Sequence, residues 1–294
     1  MLFIIVCLVL AGVAFLAGVL LNCYIIFVAG CRMGRTASTM WFLNRAVGDF
    51  IFLIFLPLRF IFILDLHWAT MLSNTITFFH MFSSSFLLMA LTVDRCILMA
   101  RPEWAWNHHT PHLFFMIVLV IWALSAGFSL RYGDLWVSFH PHVGMRTYFR
   151  LHKGSLSAGV PIQFLVGFLI PLALILIPTF YIVLSAKLRR NRLIQSTKPL
   201  KILLGLIPTF FLSWLPYHVF SFLLISAMYH PAFLDMANFF ISVLTYFSTF
   251  LNTIFYLTME EEYLRYRKRA RTSQTTDNLG PGQLNMRTDQ IVNI

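Results

Sequence analysis

The sequence predicts an all-α fold, a bundle of seven membrane-spanning helices followed by a short amphipathic helix on the cytoplasmic face. Three observations predict it. The 294 residues are 59% hydrophobic and 11% charged, with mean hydropathy +0.77, whereas soluble chains carry about 25% charged residues. Seven apolar stretches, at 2–29, 40–64, 70–97, 113–131, 160–186, 201–228 and 236–259, fill the chain. Each is long enough to cross: about 20 apolar residues rising ~1.5 Å apiece span a ~30 Å hydrocarbon core. Backbone amides in lipid must bond within their own segment, which selects helix. Finally, the basic residues cluster beside the spans rather than along one soluble face.

That clustering sets orientation. With the N-terminus outside, fifteen of the 22 Lys and Arg lie on the cytoplasmic side, from Arg32 and Arg35 to the run Arg265–Arg271. Four lie opposite: Arg131, Arg146, Arg150 and Lys153. The bias predicts an extracellular N-terminus in a multi-pass plasma-membrane protein. Net charge of +11 is therefore an orientation signal with anionic inner-leaflet lipids as partners, and no nucleic-acid partner is expected. The first apolar run is too long for a signal-peptide core and reads as an uncleaved anchor. Residues 1–271 form the membrane domain, in which Glu260 to Arg271 reads as the amphipathic helix. The polar segment 272–294 reads as a disordered cytoplasmic tail.

Each span carries a marker with physical content. The first holds Asn22. The second holds Asn44-Arg45-Ala46-Val47-Gly48-Asp49 and, two residues after Pro57, Arg59. Asp49 is an ionisable group at mid-span, costly in lipid and so functional by default. Arg45 stands one turn away, where an i,i+4 pair with Asp49 is expected. Arg59 offers a fork suited to a carboxylate, or it snorkels to the headgroups or pairs with Asp65. The third span holds Ser84 and ends in Asp94-Arg95-Cys96, and the fourth holds Trp122. The fifth holds Gln163 and Pro171. The sixth holds Pro208 and Ser213-Trp214-Leu215-Pro216-Tyr217. The seventh holds Ser248 and Asn252-Thr253-Ile254-Phe255-Tyr256. Pro171, Pro208 and Pro216 each remove a helix hydrogen bond and place kinks where segments pivot. Trp214 is either a sensor beneath a cavity or a plain core aromatic.

In this order and at these depths, the markers resemble those of rhodopsin-like G-protein-coupled receptors over about residues 10–270. Gly30-Cys31-Arg32-Met33, Phe86 to Cys96, Arg101 to Thr110 and Pro216 to Ser221 are most similar to the chemoattractant-type prostaglandin D receptor, with formyl-peptide receptors next. The resemblance implies that Asp49, Ser84, Ser248 and Asn252 form a polar core able to hold sodium. It implies that Asp94, Arg95, Asn252 and Tyr256 serve activation and coupling to an inhibitory-type heterotrimeric G protein, and that Arg59, Gln163, Trp214 and Tyr217 line the site of a small lipid or peptide ligand. Arrestin is a further partner through Thr272, Ser273, Thr275 and Thr276. No cofactor is expected.

The sequence also departs from that pattern. No cysteine occupies the second or third extracellular loop; the four are Cys7, Cys23, Cys31 and Cys96, so the bridge between the third span and the second loop is missing. Thr253 replaces the proline of the seventh span. Gln163 stands where the resembled prostaglandin receptor has a lysine for the lipid carboxylate, which leaves Arg59 as the candidate cation. Two alternatives stay open: a non-signalling or scavenging relative, and an unrelated seven-helix transporter. Nothing points to an enzyme, because no metal-ligand or nucleophile set sits at the midplane.

Overall fold

The computed structural model describes residues 2–32, 37–55, 57–58, 67–108, 110–137, 158–188, 198–226, 236–237, 239–247 and 249–254. All seven predicted spans are helical where described, apart from a turn at Phe55 in the second. Helix α1 is Leu2–Phe27, prolonged by a π-helical turn at Val28–Arg32, and α2 is Ala37–Ile54. Helix α3 is His67–Ala100, α4 is Pro102–His108 and α5 is Pro111–Val137. Helix α6 covers 158–188 and contains a π-helical turn at Leu165–Leu169 before its main segment Ile170–Leu188. Helix α7 is Lys198–Ser226, and the helical residues between 236 and 254 are α8. Four stretches, Gly12–Cys31, Met71–Leu98, His112–Tyr132 and Ala158–Ser185, are long and apolar enough by themselves to cross a membrane. Ile207–Leu223 and Phe239–Ile254 are shorter apolar stretches of α7 and α8.

Between the third and fourth predicted spans the chain forms the short helix α4. The local reasons are ordinary. Pro102 takes the first helical position, where its missing N–H costs nothing. Glu103 lies in the first turn and His108 in the last, complementing the helix dipole. Thr110 then caps α5, its Oγ1 accepting from the Leu113 N–H at 3.3 Å ahead of Pro111.

Helix α3 is the hub. It packs against α2, α5, α6 and α7. Phe78, Met81, Phe82 and Leu88 are wholly enclosed along it. The outward faces are apolar: Val9, Leu16 and Leu20 of α1, Phe115 and Val120 of α5, and Ile177 and Phe180 of α6 are all exposed. The polar residues are instead inside, as Asn22, Asp49, Ser85, Thr92 and Ser125 are buried. Apolar outside and polar inside is what lipid demands of a bundle, since a polar group facing hydrocarbon finds no partner.

The π turn in α6 has a readable cause. Pro171 has no N–H to give the carbonyl of Gly167, four residues back. The backbone loosens just ahead of it, with the Ile170 N–H reaching Leu165 O five residues back. The freed Gly167 carbonyl lies 3.1 Å from Ser85 Oγ of α3, whose one hydroxyl hydrogen is shared with Met81 O at 2.7 Å. That bond needs close approach. A Cβ at Gly167 would lie 3.0 Å from Met81 Cε and 3.1 Å from Phe82 Cε1, so glycine here lets α6 sit against α3.

Candidate functional site

The polar residues of the bundle interior fall into three groups along its length. One lies near the end where α6 begins and α7 ends. Gln163 of α6 is 0% exposed, and neither its amide nitrogen nor its oxygen has a hydrogen-bond partner. His218 of α7 is 1% exposed, with both ring nitrogens equally unpartnered. Phe164 and Phe168, just after Gln163, put their rings 5.3 and 5.4 Å from His218. Tyr217 stands edge-on to Phe78 of α3 at 5.9 Å and to Trp214 at 6.2 Å. Buried amides and imidazoles left without partners are expensive, and these two residues carry four such atoms.

The second group lies beneath Trp214. Asp49 of α2 is 0% exposed, and its Oδ1 accepts from His80 Nε2 of α3 at 2.8 Å. The His80 ring stacks on Phe52 at 4.1 Å with the planes 5° apart, and Phe52 stacks in turn on Tyr246 of α8. Trp214 lies 5.5 Å from the same imidazole. The expected Arg45–Asp49 pair does not form. Arg45, though 3% exposed, turns to α3 and donates from Nη1 to the Ser84 carbonyl at 3.4 Å. A partner from another helix wins because an i,i+4 pair lies along one helix face, while His80 approaches Asp49 across the α2–α3 interface. Ser84 Oγ bonds within its own helix, to Met81 O at 3.1 Å. Ser248 lies outside the described residues.

The third group links the helix ends opposite the first. Asn252 of α8 accepts at Oδ1 from Thr209 Oγ1 of α7 at 2.9 Å. Its neighbour Thr253 accepts at Oγ1 from Asn22 Nδ2 of α1 at 3.0 Å. The residue in place of the expected proline therefore does more than remove a kink: its hydroxyl ties α8 to α1. Asp94 and Arg95 lie in the last two turns of α3 with Oδ2 and Nε 4.0 Å apart, the carboxylate buried and the guanidinium a quarter exposed. Arg59 and Tyr256 lie outside the described residues, as do the amphipathic segment after Met259 and the tail.

Sequence reasoning missed His80, His218 and Thr209. A signal existed for the first: His80 is an ionisable residue in mid-span, four residues before Ser84 and so on the same face. His218 was legible only as part of the Pro216 to Ser221 run. Thr209 had none, since hydroxyl residues in membrane helices usually bond their own backbone.

Comparison with known proteins agrees with this architecture. A profile described as "7 transmembrane receptor (rhodopsin family)" matches residues 21–256. The chain is similar to chemerin-like receptor 1 of Bos taurus, 33% identical over 86% of this chain and 76% of that protein. To chemerin-like receptor 1 of Homo sapiens it is 32% identical over 85% of this chain and 74% of that protein. To N-formyl peptide receptor 3 of Pongo pygmaeus it is 31% identical over 72% of this chain and 66% of that protein.

Proposed function

The chain belongs to the rhodopsin family of seven-transmembrane receptors, and from that premise we propose that it detects an extracellular chemoattractant-type ligand and couples to an inhibitory-type G protein. The observation that carries the ligand reading is that Gln163 and His218 are buried with all four polar atoms unpartnered, His218 lying among the Phe164, Phe168 and Tyr217 rings. With the N-terminus outside, this group lies in the outer half of the bundle. Trp214 lies below it, between His80 and Tyr217, where filling the site would be felt in the polar core. Gln163 and His218 suit a ligand that brings its own donors and acceptors, as a peptide or an oxygenated lipid does. Arg59 is the candidate cation for a ligand carboxylate. The relatives' names favour chemoattractant ligands; the prostaglandin-like alternative rests on the sequence motifs alone. Family membership replaces the transporter reading.

The test is ligand-stimulated G-protein dissociation in cells, with formyl peptides, chemerin-derived peptides and prostaglandin acids. Any ligand that activates the native chain should lose about five- to hundredfold in affinity in His218→Ala or Gln163→Ala, the effect of removing a buried hydrogen-bond partner worth about 1–3 kcal/mol. For an acidic ligand Arg59→Ala should cost as much, and Arg59→Lys should recover only part because the planar fork is lost. Unchanged affinity in both His218→Ala and Gln163→Ala would refute the site.

A non-signalling role is the second reading, favoured by Thr253 and its bond to Asn22. No G-protein dissociation with a ligand that binds, together with recovery in Thr253→Pro, would establish it.

A further inference from the structure

We infer that the Asp49 carboxylate is occupied by a side chain of this protein, with His80 taking the place of the sodium ion that the family resemblance implies. The residues present do not fit an ion. A hard cation is held by converging oxygen ligands, and here the expected ones among the described residues, Asp49, Ser84 and Asn252, are each engaged elsewhere. Asp49 Oδ1 is occupied by His80 Nε2 at 2.8 Å. Ser84 turns its hydroxyl to Met81 O, and its own carbonyl is taken by Arg45 Nη1. Asn252 Oδ1 already accepts from Thr209 Oγ1. Asp49 Oδ2 is left without a partner, and one carboxylate oxygen is not a cage.

Charge points the same way. Arg45 sits on α2 one turn from Asp49, itself 3% exposed. From α3 the facing group is His80. From α7 it is the Trp214 ring, and from α8 Tyr246 through Phe52. An acid whose Oδ1 already accepts from an imidazole, with a buried guanidinium one turn away on its own helix, is a poor host for a further cation. The imidazole is also fixed in place: it is sandwiched by Phe52 at 4.1 Å and reached by Trp214 at 5.5 Å. An ion that binds and leaves would make the α2–α3 contact depend on salt. A side chain in its place makes that contact a permanent part of the fold, coupled through the ring to Trp214.

The experiment needs no ligand, so it stands apart from the functional reading. The purified full-length receptor in detergent is melted in sodium chloride and in potassium chloride at matched ionic strength. The native protein should melt at the same temperature in both. Arg45→Leu combined with His80→Asn should melt a few degrees higher in sodium, because a ligand that binds only the folded state raises its stability. Adding Asp49→Asn should abolish that gain. A sodium-specific rise in the native protein overturns the inference, and so does a folded double variant that shows no rise. If the double variant does not fold, sodium nuclear resonance linewidths decide. Equal broadening by native protein and Asp49→Asn supports the inference, and broadening that is lost in Asp49→Asn overturns it.

Discussion

Thr253 shows how a single residue can be read two ways. As a missing proline it predicts only a straighter α8. In place, its Oγ1 accepts from Asn22 Nδ2 at 3.0 Å while donating to Thr249 O at 3.2 Å. Asn22 Nδ2 also reaches Gly18 O at 2.8 Å, so both hydrogens of the amide nitrogen are used. Interhelical hydrogen bonds in membranes contribute about 0.6 kcal/mol on average and up to about 1.7. Thr253→Val keeps the shape and removes the hydroxyl, so it should destabilise by an amount in that range. Asn22→Ala should do the same, and the double variant should cost little more than the larger single change because both remove one bond. Melting of the four purified proteins checks this; additive losses would mean the two residues act separately.

At the scale of an element, α6 is shaped by three residues acting together. Pro171 withholds a donor, Gly167 permits close approach, and Ser85 of α3 offers a hydroxyl shared between Met81 O at 2.7 Å and Gly167 O at 3.1 Å. Ser85→Ala should therefore cost about 1 kcal/mol, the usual net loss of a buried hydrogen bond. In a Pro171→Ala background the backbone N–H returns and can serve Gly167 itself. There the same Ser85→Ala change should cost measurably less. A double-mutant cycle on thermal stability reads the coupling, and independence of the two substitutions would refute this account of the π turn. Gly167→Leu should be worse than either, because Met81 and Phe82 already crowd the position.

For the whole molecule, the predictions concern topology and the missing extracellular staple. A tag placed after Ile294 should be reached by antibody only in permeabilised cells, since the charge bias puts the C-terminus inside. Staining of intact cells would reverse the orientation, and with it the side from which Gln163 and His218 are approached. A loop disulfide commonly contributes about 2–4 kcal/mol, and this chain has no cysteine in its second or third extracellular loop. Mild reducing agent should therefore leave the melting temperature unchanged, and a marked drop would mean that a bridge among Cys7, Cys23, Cys31 and Cys96 matters.

By itself the sequence determined that the chain is a seven-helix membrane bundle, and which residues sit at the middle of each helix. Hydrophobic length and charge flanks are local properties, and bilayer thickness converts them directly into spans. Asp49 as a costly mid-span acid, Pro171 as a perturbation of α6 and Gln163 as an uncharged residue in the fifth span were all legible that way. The tertiary structure alone decided their partners. Arg45 was nearer to Asp49 along the chain, yet His80 met the carboxylate, because a salt partner is chosen by which faces of two helices meet. Thr209 gained Asn252 as a partner, and Gln163 and His218 were left with none, for the same reason. Sequence spacing sets which residues share one helix face. Only packing sets which face lies opposite, and for the buried polar groups that choice decides which are satisfied and which are left unpartnered.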